Sequence, residues 1–419
     1  MTTRGSALEN TVDRLLATHT MRDFLYLRPS KIVGGLRREI SDLLIVLDGK
    51  TVPVQLKGQG KARQADALQH WATKKAVNAG GQASGACRTL RSVEVTADHP
   101  TQGQVSFAPG DLLPIHGLAI VGYDGEAFQT DEELRHADPY ETPIHYMSLA
   151  DFLGLMEAVG SLPDLLEYLQ SRSQLSSDIR SWIGAEPHLF ASYILDDGFD
   201  PTLAASTVLS RAKALPPERL NDLQRTRSHD VFVQPINYAI EHLHERDPEV
   251  GSYASGFMTG SIEHADRRRG YLAMAAKLNR LPHRVRQEIG ARILEMESKA
   301  KPDVAPWSLY IFATDGTPIV FVVSAEPERR RRAEVLWPIL RNVLLKTGRT
   351  TGMVVCYPTL NLKSGLLFLH AGDIDLGEFA ADTELLELIS KMPEAKFIPV
   401  PKAPPPQADQ RFELLRQPR

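Results

Sequence analysis

The stretch that most limits what this chain can become reads Glu39-Ile40-Ser41-Asp42-Leu43-Leu44-Ile45-Val46-Leu47-Asp48-Gly49-Lys50-Thr51-Val52-Pro53-Val54-Gln55-Leu56-Lys57. An apolar run, an Asp-Gly pair and a second run with period-two alternation specify an antiparallel β-hairpin, because Asp-Gly tolerates the positive φ angles of a tight turn. With the turn at Asp48-Gly49, Asp42 stands opposite the Gln55 to Lys57 end of the second strand. Side chains alternate along a strand, so Gln55 and Lys57 share one face and Leu56 points to the other. A carboxylate, an amide oxygen and an ammonium thereby meet at one end of the hairpin.

That meeting has a chemical use. The oxygens of Asp42 and Gln55 are hard donors suited to Mg²⁺, and the Leu56 backbone carbonyl between them adds another. Lys57 is placed to position or deprotonate a water for in-line attack on a phosphodiester and to offset the charge that develops there. The order of an acid, a hairpin, Gln-x-Lys and then a helix resembles the PD-(D/E)xK, or restriction endonuclease-like, superfamily in its Gln-x-Lys variant, over the N-terminal third of the chain. The resemblance implies an α/β fold with an α-β-β-β-α-β core and a metal-dependent nuclease that hydrolyses DNA phosphodiester bonds with Mg²⁺, or Mn²⁺ in its place.

Members of that superfamily draw a further acid from the helix before the hairpin. Glu9 lies in such a stretch, Ala7 to Ala17, where Leu8, Val12, Leu15 and Leu16 form one stripe behind Ser6 as N-cap. Glu39 is the rival. Gln55, where a carboxylate is commoner, removes one negative charge from the metal site. Many such proteins work as dimers, and many bacterial ones serve restriction or phage defence. The implied partners are therefore DNA and either a second copy or another protein of a defence system. The competing expectation is an inactive nuclease-fold module that serves as a nucleic-acid-binding or protein-assembly platform.

At 419 residues the chain is long enough for two or three domains. Its net charge of -4 means that any nucleic-acid surface must be local. No apolar run is long enough for a membrane span and no leader pattern opens the sequence, so it reads as cytoplasmic. Cys87 and Cys356 stand alone among apolar or small neighbours and are expected as buried thiols.

Along the chain, residues 1–180 are expected to form the nuclease domain with trailing helices, 181–302 a mostly helical region, 303–398 an α/β domain and 399–419 a Pro-rich tail. Phe24 to Leu27 predicts a short strand stopped by Arg28-Pro29, and Gly34-Gly35 a loop. A helix from about Ala62 is broken at Gly80-Gly81; its cations, Lys61 and Lys75 first among them, are candidates for contact with the phosphate backbone. Leu118 to Tyr123 predicts a buried strand, with helices after Ser148 and from Leu162. His242 and His244 stand two apart on a helix, which points their imidazoles in different directions and argues against a metal pair.

The C-terminal segment repeats the order of hairpin, helix and strand. Laying Asp315-Gly316 over Asp48-Gly49 sets Leu309 where Asp42 stands and Ser324 where Lys57 stands, so a second copy of the fold here would have no catalytic groups; a chance likeness between two α/β units is the preferred reading. Arg329 to Arg332 open its helix against the dipole's preference, which points to an acidic or phosphate partner. No Walker A sequence and no Gly-x-Ser-x-Gly elbow is present.

Overall fold

The computed structural model describes residues 21–59, 65–122, 141–175, 186–195, 198–199, 205–214, 230–245, 264–302, 306–313, 315–359, 366–371 and 396–397. The expected N-terminal helix and the Pro-rich tail lie outside them. The described residues fall into two units, one up to residue 214 and one from residue 230. The helices between 181 and 302 are thus divided between the two.

The first unit is built on a nine-stranded sheet of order β6-β5-β1-β3-β4-β8-β9, with β2 paired to β1 and β7 to β4. The strands are β1 (Leu25–Val33), β2 (Leu36–Glu39), β3 (Leu43–Leu47), β4 (Lys50–Gly58), β5 (Val95–His99), β6 (Gly103–Phe107), β7 (Leu113–Pro114), β8 (Gly117–Gly122) and β9 (Ile144–Ser148). The central hairpin forms as its turn chemistry requires. Asp48 and Gly49 take φ of 52° and 80°, and Leu47 pairs with Lys50 and Leu43 with Val54. Helix α1 (Ala65–Leu90) then crosses over so that β8 lies parallel to β4.

Small residues let α1 sit close. Ala72, Ala76, Ala79 and Ala83 pack on Ala119, Val121, Ile144 and Tyr146. The predicted break at Gly80-Gly81 does not occur, and the helix runs unbroken for 26 residues. Gly80 is buried, and a Cβ there would run into the Tyr146 ring. The glycine serves close helix-to-sheet approach rather than termination. The opposite face of the sheet carries Leu43, Ile45, Val52, Val54, Leu56, Leu118 and Ile120 against α2 (Leu149–Val159) and α3 (Leu162–Ser173). Ser148 caps α2, its Oγ accepting from the Asp151 N–H at 3.0 Å.

A buried polar chain ties α3 to β9 and to α4 (Glu186–Leu195), the helix that packs against α5 (Ala205–Lys213). The fully buried Arg172 guanidinium forks onto Glu186, with Nε 2.8 Å and Nη2 2.9 Å from its carboxylate oxygens. Its Nη1 lies 3.0 Å from His145 Nδ1, and His145 Nε2 lies 3.2 Å from His116 Nδ1. An arginine can only donate, so the His145 proton sits on Nε2 and the His116 proton on Nε2 in turn. Burial pushes His116 down to about 4.

The second unit centres on a sheet of order β13-β12-β11-β10-β14, made of β10 (Trp307–Phe312), β11 (Pro318–Ser324), β12 (Gly352–Pro358), β13 (Leu367–Ala371) and β14 (Lys396–Phe397). One face, with Ile311, Ile319, Phe321, Val323 and Val355, packs on α6 (Gln234–Glu245), α7 (His264–Asn279) and α8 (His283–Lys299). The other, with Val320, Val322, Val354 and Cys356, packs on α9 (Arg329–Thr347). Two arginines of the run that opens α9 have partners within the chain. Arg332 is buried and its Nη1 donates to the Glu326 and Pro327 carbonyls, at 2.7 and 3.1 Å, while Arg331 pairs with Glu328 at 3.0 Å. Cys87 and Cys356 are free and buried, and among the described residues no helix is long and apolar enough to cross a membrane.

Candidate functional site

The site lies where β3 and β4 run out beyond the last pair of their ladder. Leu43 is opposite Val54, which sets Asp42 opposite Gln55. Leu44 and Val46 face away from the α2 and α3 core that holds Leu43 and Ile45. By alternation Gln55 and Lys57 point to the α1 side of the sheet. Asp42 stands one residue before β3 and reaches β4 through its carboxylate.

Local hydrogen bonds hold two of them. Asp42 Oδ2 accepts from the Leu56 N–H at 2.7 Å, so the carboxylate stands where the next ladder carbonyl would have been. In a strand a residue's N–H and C=O point to the same edge, which directs the Leu56 carbonyl to that side as well. The buried Gln55 turns its amide nitrogen onto the Ile40 carbonyl at 3.1 Å, which leaves the amide oxygen as its metal-competent atom. Lys57 is half-buried, one residue before the exposed Gly58.

Glu39 ends β2, and its carboxyl stands in the field of the others. Partial burial and the Asp42 carboxylate push it above the ordinary carboxylate range, against the pull of Arg28, Lys57 and Arg37. Among the described residues no group of three or more His, Cys, Asp and Glu side chains is set to hold a metal ion. Any ion here would rest on a mixed oxygen set: Asp42, Glu39, the Gln55 amide and the Leu56 carbonyl. All are hard donors and suit Mg²⁺.

Of the remaining candidates, Glu9 and Lys61 lie outside the described residues. Lys75 is half-buried on α1, the helix that covers the Gln55 and Lys57 side of the sheet. Two neighbours of the site escaped the sequence reading. Arg28 takes a left-handed φ of 49°, rare outside glycine, and its N–H donates to the Asp42 carbonyl at 3.3 Å. Ile40 supplies the carbonyl that orients Gln55. Neither role has a signature in residue type, since both are made by the backbone.

No protein-family model matches this chain, and comparison with curated protein sequences finds no match. Among solved structures, a protein of Methanococcus jannaschii assigned as a family II inorganic pyrophosphatase aligns at 13% identity over 68% of this chain and 84% of that one, with a TM-score of 0.17. That likeness is too slight to place the fold.

Proposed function

We propose that the first unit is a metal-dependent nuclease of restriction endonuclease-like fold that hydrolyses DNA phosphodiester bonds, as in restriction or anti-phage defence. The observation that carries this reading is the meeting of Asp42 with the Gln55 to Lys57 stretch of β4, where Asp42 Oδ2 accepts from the Leu56 N–H, with Glu39 in the same field. The order hairpin, crossover helix, parallel strand, with β1 antiparallel to β3, fits the superfamily's core.

When bound at these oxygens, Mg²⁺ supplies Lewis-acid polarisation of the scissile phosphate and lowers the pKa of a water. The chain does the rest. Asp42 is held in one rotamer by the Leu56 N–H, and Gln55 by the Ile40 carbonyl, so neither has to reorganise as charge develops. Lys57 orients the attacking water in line with the leaving oxygen and neutralises charge on the phosphoryl oxygens.

The assay is full-length protein on linear, circular and single-stranded DNA with Mg²⁺, Mn²⁺ or a chelator. Cleavage is expected with metal, and loss of it with chelator. Lys57→Ala is expected to slow it about 100-fold or more, the scale of removing one transition-state donor. A Lys57→Ala protein that degrades DNA at the wild-type rate overturns the reading.

One observation favours the non-catalytic alternative. The Asp42 and Gln55 contacts also act as a clasp that closes the strand end, and the mixed donor set holds at most two carboxylates among the described residues. On that reading the protein binds DNA or a protein partner in chelator and never cuts.

A further inference from the structure

Beyond Arg28 the strand β1 leaves β3 and forms a second hairpin with β2. Ser30, Lys31, Ile32 and Val33 pair with Glu39, Arg38, Arg37 and Leu36 across the Gly34-Gly35 turn. Every residue of β2 is exposed. At the tip, Ile32 is 69% exposed, Leu36 67% and Val33 40%. Bare apolar side chains grouped at a tip mark a contact surface, not a core.

We infer that this ribbon is a DNA arm that enters the major groove of a B-form duplex and delivers the backbone to the Asp42 and Lys57 end. The inference rests on the reading of that end as a site acting on nucleic acid. Charge names the occupant. Between residues 28 and 39 stand Arg28, Lys31 and Arg38 against the single acid Glu39, with Arg37 set beside Asp98, on a chain whose net charge is -4. A protein partner of ordinary composition has no need of such a local excess, whereas a polyphosphate backbone does.

Dimensions agree. The four residue pairs from the Ser30 level to the Val33 level span about 10 Å at roughly 3.3 Å per residue. The major groove of B-DNA is about 8.5 Å deep and admits a two-stranded ribbon, while the A-form groove is too narrow for side chains to read. Directly opposed residues share a face, so Lys31 and Arg38 stand side by side, with Val33 and Leu36 further out on the same face. That order puts cations at the groove's rim and apolar groups at its floor, where thymine methyls lie.

Arg37 has a different task. Its Nε donates to Ser30 Oγ at 2.5 Å and its guanidinium lies 3.8 Å from Asp98, so it braces the ribbon's root against β5. At the ribbon's root the Arg28 N–H donates to the Asp42 carbonyl at 3.3 Å and the Ile40 N–H to the Pro29 carbonyl at 2.8 Å. A duplex gripped by the arm therefore lies against the site.

The test is binding of full-length protein to duplex DNA, double-stranded RNA and single-stranded DNA in chelator, across a salt series, with the assembly mass measured alongside. Lys31→Glu with Arg38→Glu is expected to weaken duplex DNA binding on the order of tenfold or more. The matching neutral pair, Lys31→Ala with Arg38→Ala, should flatten the salt slope by about 0.9 per lost cation. Ile32→Ser with Leu36→Ser should weaken binding without changing that slope, and RNA should bind less well than DNA. Unchanged DNA affinity in all three ribbon variants overturns the arm, as does a change in assembly mass at unaltered affinity, which would make the ribbon a contact between copies. A protein that cuts DNA but binds it without the ribbon sinks this inference alone. One that binds through the ribbon but never cuts sinks only the nuclease reading.

Discussion

The hairpins β3–β4 and β10–β11 are each followed by a helix and, after the intervening β5 and β6 in the first, by a strand parallel to the hairpin's second arm, yet they finish in opposite ways. The first closes on a two-residue loop with both residues at positive φ. In the second, Ala313 donates to the Thr317 carbonyl at 2.8 Å and receives the Gly316 N–H at 2.9 Å, so the loop is one residue longer. That extra residue slides the first arm by one position. The counterpart of Asp42 is Ser308, opposite Val322, rather than the Leu309 expected from overlaying the turns. Ser324 still stands for Lys57, and both serines are buried. The second strand end carries two buried serines; the first carries a half-buried acid, a buried amide and a half-buried amine. Shared topology sets where a strand ends, and only the residues there decide what the end can do.

The sharpest way to break this comparison is kinetic. Lys57→Ala is expected to cut DNA cleavage about 100-fold or more while Ser324→Ala leaves it at the wild-type rate. Equal losses in the two variants would mean that the strand ends act through stability rather than chemistry.

Acid should separate the units next. His116 is held neutral by burial, down to about 4 from an ordinary value of 6.5, so the unfolded chain binds its proton first as pH falls. Stability is full above 6.5 and is lost between 6.5 and about 4, on the order of 3 kcal/mol in all. In the second unit Asp230 resists burial through hydrogen bonds from His283, Gln287 and the Phe232 N–H, which depress its carboxyl. That contribution is present above 3.8 and fades only below it. Hydrogen exchange from pH 7 to 4 should therefore show the first unit loosening while Asp230 still supports the second, and His116→Gln should flatten the first unit's response.

Packing gives a smaller difference. Each unit needs a glycine where its crossover helix meets the sheet, on the helix in the first, Gly80, and on the strand in the second, Gly352. A Cβ at Gly80 meets the rigid Tyr146 ring, whereas one at Gly352 meets Leu340 Cδ1 and Leu344 Cδ2 at 2.9 Å, methyl ends that can rotate away. Urea unfolding should show Gly80→Val costing about 1–3 kcal/mol and Gly352→Ala less than about 1.5 kcal/mol.

The smallest effect concerns Glu39. Its raised carboxyl means that ionisation costs stability as pH rises through its titration. Glu39→Gln should raise the metal-free stability slightly, by no more than about 0.5 kcal/mol, and on the proposed reading should reduce any rise in melting temperature on adding Mg²⁺. A destabilised Glu39→Gln protein would show that its ion pairing with Arg28 and Arg37 outweighs the repulsion from Asp42.

Local chemistry was legible. Asp48-Gly49 predicted the turn, alternation predicted that Gln55 and Lys57 share a face, and Ser148 predicted a cap. The Gly34-Gly35 pair between Val33 and Leu36 carried the same kind of turn signal, but Arg28-Pro29 concealed the strand on its far side. Proline ends most strands; here a left-handed Arg28 makes a bulge, after which β1 exchanges β3 for β2 as its partner.

The order of residues alone determined the central hairpin, its turn, the face of each of its side chains and the isolation of the two thiols, because those follow from φ preferences and from the two-residue period of a strand. Only the tertiary structure decided that Glu39 enters the field of Asp42 and Lys57, that Gly80 continues a helix, and that the second hairpin's arm slips by one. Each depends on contacts between segments distant in sequence or on the length of a loop as folded, and neither is written in any short run of residues.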